Sequence, residues 1–174
     1  MKKNIILIGF MGAGKSLVAK QLAARLKSEA VSTDEWIAKR EGQPITEIFA
    51  QKGEEYFRNC ERDAVQAVSQ LTGKIIDCGG GVVSRQENID RLKKNGILFY
   101  LATSPEFIYQ RVKHHHHRPL LNTDDPLAVI TKLLNERRTH YEQADYTVDT
   151  DGKTVRQTAD DILAILHKEK LTGT

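Results

Sequence analysis

The chain predicts an α/β fold, a mostly parallel sheet of about five strands with helices on both faces. Three observations carry that reading. Short apolar runs alternate with amphipathic stretches over nearly the whole length. No linker, repeat or break in composition divides the 174 residues, so one core is expected for residues 1–174. Apolar residues reach about 47 % once the 12 glycines are counted, the usual share for a globular protein and too high for a disordered one.

The elements follow in order. Asn4–Gly9 reads as a buried strand. Lys15–Lys27 reads as a helix with Val18, Leu22, Ala23 and Leu26 at helical spacing. Ala30–Thr33 is a weaker strand. Glu54–Leu71 is a long helix that gathers Phe57, Cys60, Ala64, Ala67, Val68 and Leu71 on one face. Lys74–Cys78 is a strand running into three glycines, and Ser84 with Glu87 predicts a capping box at the next helix. Gly96–Leu101 is a strand, and Ser104-Pro105 opens the helix after it, a hydroxyl cap followed by proline in the first turn. Leu127–Ala144 is helical and Tyr146–Asp149 a short strand. Thr154 with Gln157 caps a last helix that runs to about Lys168.

Composition narrows the function. No apolar run approaches the roughly 18 residues of a membrane span. The run after Met1-Lys2-Lys3-Asn4 is too short for a signal-peptide core, so a cytoplasmic protein is expected. A net charge of +3 is too mild for a dedicated nucleic-acid binder and suits a small anionic ligand. Cys60 and Cys78 read as reduced core thiols. Nothing points to an apolar interface, and a monomer is expected.

The chemistry sits in Gly9-Phe10-Met11-Gly12-Ala13-Gly14-Lys15-Ser16, which matches G-x-x-x-x-G-K-[ST] between a predicted strand and a predicted helix. Glycines let backbone amides converge on a phosphate, and the helix N-terminus adds positive potential. Gly12, Ala13, Gly14 and Leu17 would line the phosphates, Lys15 would reach the outer ones, and the Ser16 hydroxyl would ligate Mg²⁺. Leu17 stands where many P-loop proteins carry a hydroxyl. This motif specifies ATP or GTP without naming the acceptor. No Asn-Lys-x-Asp follows to read guanine, which disfavours a GTPase.

Further fragments narrow it. They are Asp34 after the second strand, Gly53-Glu54-Glu55-Tyr56-Phe57-Arg58 with Glu61, Gly79-Gly80-Gly81, Arg118-Pro119-Leu120-Leu121, and Glu136-Arg137 followed by Tyr141, Ala144 and Asp145. In this order behind a P-loop, the chain resembles the shikimate kinase family almost end to end. The resemblance implies a three-layer P-loop kinase fold with strand order 2-3-1-4-5. It implies a substrate-binding region at about 34–62 and a mobile lid at about 112–125. The activity implied is transfer of the ATP γ-phosphoryl group to the 3-hydroxyl of shikimate, with Mg²⁺ as cofactor, in aromatic amino-acid biosynthesis. Arg58 and Arg137 match the carboxylate-binding positions, where arginine forks suit the ligand. Asp34 matches the residue that holds the acceptor hydroxyls and is the candidate to take the attacking proton. Gly80, with Gly81, matches the backbone that faces shikimate. Arg118 would stabilise charge on the transferring group, and Arg111 stands where a side chain stacks on adenine. Arg58 also has an ion-pair reading with Glu54 or Glu61, and Arg111 a reading as a solvated helix-end cation. Residues 149–153 should border the adenine.

Two departures stand out. Relatives commonly carry Asp-x-Asp after the second strand, the first carboxylate supporting Mg²⁺ through water. Here the segment is Ser32-Thr33-Asp34, while Asp77 stands at a position that is commonly small. Asp77 is the candidate to supply the missing charge, unless it points away to a surface lysine. His114–His117 read as a solvated part of the lid, whose protonation would alter nucleotide affinity. The rival functions are phosphorylation of another small polar acceptor, such as a sugar acid or a nucleoside monophosphate, and a non-catalytic ATP-binding module.

Overall fold

The computed structural model describes residues 3–113 and 123–170. Five strands form one all-parallel sheet: β1 (Asn4–Ile8), β2 (Ala30–Ser32), β3 (Ile75–Asp77), β4 (Gly96–Ala102) and β5 (Tyr146–Asp149). Their order is β2-β3-β1-β4-β5, as the family resemblance implies. Among the described residues, seven helices connect and cover them: α1 (Lys15–Leu26), α2 (Thr33–Glu41), α3 (Ile45–Val68), α4 (Gln86–Asn95), α5 (Pro105–Val112), α6 (Pro126–Tyr141) and α7 (Val155–Lys168).

β1 is buried along its whole length, and its alternating side chains feed two cores. Ile5 and Leu7 join Phe99 and Leu101 under α1 and α7, where Leu22, Ile162 and Leu166 close the layer. Ile6 and Ile8 join Ile76 and Leu98 on the other face, against Val65 and Val68 of α3, Leu92 of α4 and Tyr141 of α6. Buried Asn4 secures the start of β1: its amide donates to Leu71 O at 2.7 Å and its carbonyl accepts from Lys74 N–H at 2.9 Å. A smaller core of Ile37, Ile48, Phe57, Cys60 and Ala64 ties α2 to α3.

Several sequence expectations hold. Ser104 Oγ accepts from Phe107 N–H with Pro105 in the first turn. Thr154 and Gln157 form the capping box of α7. β5 has the expected bounds. Others need correction. The second strand stops at Ser32, and Thr33 opens α2, a helix the sequence reading lacks. Only Thr33 and Ile37 of α2 are buried, too few to leave a helical stripe. The long helix does start anew at Glu54, after a non-helical Gly53 (φ 81°, ψ 175°), and ends at Val68 rather than Leu71; the helical stretch from Ile45 that precedes the kink is absent from the sequence reading. The capping box at Ser84 and Glu87 does not form. Ser84 is spent in a 3-10 turn, Val82–Ser84, and Arg85 sits at the helix start with no side-chain cap. The sixth helix runs Pro126–Tyr141, with Asp125 capping Ala128 N–H at 3.0 Å.

Replacing Thr154 by Ala removes one half of a reciprocal cap on α7, which closes the core above α1. We expect a loss of about 1 kcal/mol of unfolding free energy, read as a lower denaturant midpoint at unchanged slope.

Candidate active site

The site forms where the carboxyl ends of β1, β2 and β3 meet, the usual ligand crevice of a parallel sheet. Register does the assembling. Asp77 pairs with Leu7 of β1 on one side and with Ser32 of β2 on the other. The P-loop, the start of α2 and the three glycines therefore leave the sheet side by side, around a cleft of about 710 Å³.

On the phosphate side, Gly12 (φ 78°) and Gly14 (φ 91°) adopt left-handed backbone conformations that favour glycine. α1 starts from Gly14 with no side-chain cap and no acid in its first turn. Its orphan N–H groups and positive dipole end are thus left for an anion. Lys15, only 8 % exposed, donates to Gly9 O at 2.9 Å and Phe10 O at 3.0 Å. Ser16 Oγ donates to Asp77 Oδ2 at 2.5 Å, so Asp77 points into the cleft and not toward a surface lysine. Burial pushes the Asp77 carboxyl up, while Lys15 and the Ser16 hydroxyl pull it back. Ser32 has other work: its hydroxyl caps α2 by accepting from Glu35 N–H at 3.3 Å.

Arg111 donates to Gly12 O at 3.1 Å and Thr150 O at 3.4 Å, tying the P-loop to the segment after β5. Thr150 and Lys153, from the segment expected to border the adenine, line the same cleft, as does Thr154. Leu17 also lines it, 60 % exposed.

Asp34 stands in the first turn of α2 and lines the cleft opposite the P-loop. A Cβ on Gly79 would run into its carboxylate, which explains the first glycine of the triplet. Thr33 Oγ1 accepts from Gly79 N–H at 2.9 Å and fixes that approach. Arg58 donates to buried Glu61 at 2.5 Å and to Glu54 at 3.0 Å, so its ion-pair reading is correct. Burial pushes the Glu61 carboxyl up and the Arg58 guanidinium pulls it back. A Cβ on Gly81 would collide with that guanidinium. Arg137 donates to Gly80 O at 3.3 Å and lies over the Phe10 ring at 5.6 Å.

Lys15, Ser16, Leu17, Asp34, Asp77, Gly80 and Arg111 therefore share one cleft. Arg58, Gly81 and Arg137 lie just past its lining and join it through Gly80 and Gly81. Arg118 and His114–His117, with most of the expected lid, lie outside the described residues. Thr33 and Tyr141, whose hydroxyl donates to Gly80 O at 2.8 Å, shape the site without having been assigned a role from sequence. Tyr141 stood among the family-like fragments; Thr33 was hidden by the missed α2. Cys78 is buried, and burial pushes its thiol well up, so it takes no part.

Comparison with known proteins agrees with this geometry. The family model described as shikimate kinase matches residues 11–167. A shikimate kinase of Caldanaerobacter subterraneus subsp. tengcongensis is 42 % identical over 168 residues, covering 97 % of this chain and 98 % of that protein. One from Thermodesulfovibrio yellowstonii is 43 % identical over 161 residues, covering 92 % and 93 %. The structure of shikimate kinase from Acinetobacter baumannii in complex with shikimate superposes with a TM-score of 0.94 at 34 % identity, over 99 % of this chain and 97 % of that one. A gluconokinase from Sinorhizobium meliloti (TM-score 0.60, 16 % identity, 95 % and 92 % covered) shares the fold alone. Identity near 40 % over almost the whole chain, together with the family match, settles the relationship: the chain belongs to the shikimate kinase family and is an ATP-dependent kinase.

Proposed function

We propose that the cleft transfers the γ-phosphoryl group of ATP to the 3-hydroxyl of shikimate, with the roles divided as follows. The observation that carries this division is the two-ended cleft. Lys15 and the uncapped start of α1 form one end, Asp34 faces them, and Arg58 and Arg137 flank Gly80 and Gly81 at the other. The phosphates of ATP occupy the P-loop end, held by Gly12, Ala13, Gly14, Lys15 and Ser16. Arg111 and the segment around Thr150 border the adenine, with Leu17 at the mouth. The carboxylate of shikimate lies between Arg58 and Arg137, which places its hydroxyls toward Asp34. Asp34 orients the 3-hydroxyl and accepts its proton as the oxygen attacks in line. Arg118 neutralises the transferring group, and the segment at about 112–125 serves as the lid that excludes water. The substrate-binding region covers about 34–62 within a single domain.

Mg²⁺ fits the donors at the phosphate end. Among the described residues no group of three His, Cys, Asp or Glu could hold a metal by itself. Ser16 Oγ is a hard oxygen donor, the Asp77 carboxylate beside it would support the ion through a bridging water, and phosphate oxygens would complete the set. Bound there, Mg²⁺ supplies charge neutralisation at the outer phosphates. Asp77 stands in for the carboxylate that Ser32 lacks, since the two are register partners on adjacent strands. No helix among the described residues is long and apolar enough to cross a membrane. Free, buried Cys60 and Cys78 suit a reducing compartment, and we place the enzyme in the cytoplasm as a monomer with no nucleic-acid partner.

The deciding experiment measures ADP release from MgATP with shikimate, gluconate or nucleoside monophosphates as acceptor. Strong stimulation by shikimate alone is expected. Stimulation by another acceptor, or ATP binding without turnover, would replace this reading.

Two substitutions test the roles. Arg137→Ala should raise KM for shikimate by about ten- to a hundredfold, the worth of one charged hydrogen bond, with KM for ATP within about twofold. Asp77→Asn should shift the midpoint of a Mg²⁺ titration upward by about tenfold or more, by the loss of one unit of negative charge. An unchanged midpoint would return Asp77 to a structural role.

A further inference from the structure

The acceptor clamp has a support that neither arginine provides. Tyr141, the last residue of α6, is 0 % exposed. Its ring stacks on Tyr100 at 4.8 Å with planes 2° apart. Tyr100 is the register partner of Ile8, at the end of the strand that feeds the P-loop. Stacked in this way, the ring aims its hydroxyl at Gly80 O, 2.8 Å away. Arg137, one helical turn earlier, donates to the same oxygen at 3.3 Å. On its other side the Gly80 backbone leans on the P-loop, since a Cβ there would sit 3.0 Å from Met11 N and 3.6 Å from Phe10 C. The glycine is thus gripped between α6 and the phosphate loop.

The peptide that carries Gly80 C=O also carries Gly81 N–H. With no cis bond among the described residues, that N–H points opposite to the carbonyl. Two donors on the carbonyl fix the plane of this peptide and draw electron density toward its oxygen. The opposed N–H becomes a better donor, in the way that chained hydrogen bonds reinforce one another. It belongs to the glycine whose Cβ position abuts the Arg58 guanidinium.

We propose that Tyr141 is a positioning residue for the acceptor: its hydroxyl sets and polarises the Gly80–Gly81 peptide, so that the Gly81 N–H joins Arg58 and Arg137 in holding the acceptor's carboxylate. Tyr141 acts through the backbone and does not touch the ligand. Burial pushes its pKa up to about 12, with Arg137 pulling back, so it remains a hydroxyl donor throughout the neutral range. The inference rests on shikimate being the acceptor.

The test is Tyr141→Phe, which keeps the ring, the stack and the volume. The unsubstituted protein and the variant are each titrated with shikimate by calorimetry, followed by steady-state kinetics and thermal melts. The shikimate Kd and KM should rise about five- to tenfold, the net worth of one hydrogen bond. The KM for ATP and kcat should stay within about twofold, because the lost interaction holds substrate and transition state alike. Shikimate binding to the unsubstituted protein with the same affinity for the variant overturns the inference alone. No shikimate binding to the unsubstituted protein overturns the acceptor reading and the inference with it. A variant without a cooperative melt, or one in which both KM values rise together, assigns the hydroxyl to the core and overturns the positioning role.

Discussion

The parallel register of three strands governs the site. Ser32, Asp77 and Leu7 stand abreast on β2, β3 and β1, and each strand releases a functional segment just past that line. A slip of one residue in β3 would turn Asp77 to the opposite face of the sheet and take its carboxylate away from Ser16. It would also shift the glycine triplet against Asp34 and Arg58, whose closeness admits no Cβ on Gly79 or Gly81. The register is itself held by burial. Ile5, Ile6, Leu7, Ile8, Ile75 and Ile76 all lie in the two cores and specify which face each side chain takes.

Charge is balanced differently at the two ends of the cleft. At the phosphate end, no acid occupies the first turn of α1, so helix dipole and lysine act together on an incoming anion. At the Gly80–Gly81 end, the positive charge of Arg58 is largely answered by Glu61 and Glu54. Removing Glu61 would leave a buried guanidinium without its closest carboxylate, a change that costs about 3–5 kcal/mol in buried pairs. That pairing holds the guanidinium beside Gly81 before any ligand arrives. Arg137 is placed by neutral groups, the Gly80 carbonyl and the Phe10 ring, and makes no ion pair among the described residues. On the proposed roles, Arg58 supplies geometry and Arg137 supplies charge.

Local chemistry made part of this legible from sequence. The P-loop, the Thr154–Gln157 capping box and the Ser104-Pro105 start are short motifs whose partners lie within a turn or two, and they formed as expected. Features set by tertiary context were harder to read. α2 buries too little to show a stripe, and the helical stretch from Ile45 to the kink at Gly53 went unread, although the boundary at Gly53 itself was legible. Ser84 had a cap's sequence but was taken by the turn after the glycines, which is wound against Asn88 through Val82 O. The direction of Asp77 depended on pairing across the sheet. The partner of the Tyr141 hydroxyl lies 61 residues away in sequence. Arg137 and Gly80 were recognisable by resemblance, but not the oxygen they share with Tyr141.

On the proposed roles, the exchange of a carboxylate between Ser32 and Asp77 shows which parts of such a site can move. Neighbouring strands run about 4.8 Å apart, so a carboxylate transferred from β2 to its register partner on β3 shifts by less than two water diameters. A group that acts on a cation through water tolerates that shift, because the bridging water can relocate with it. A group proposed to touch the reacting hydroxyl does not. Asp34 keeps its place at the start of α2, held by the Thr33 bond to Gly79 and by the Ser32 cap. The serine is therefore more than a vacated position. Its hydroxyl satisfies the helix that carries Asp34, a task aspartate could also perform, while the negative charge sits across the sheet against Ser16. On that proposal the site keeps a carboxylate near the cation and changes only the strand from which it is supplied.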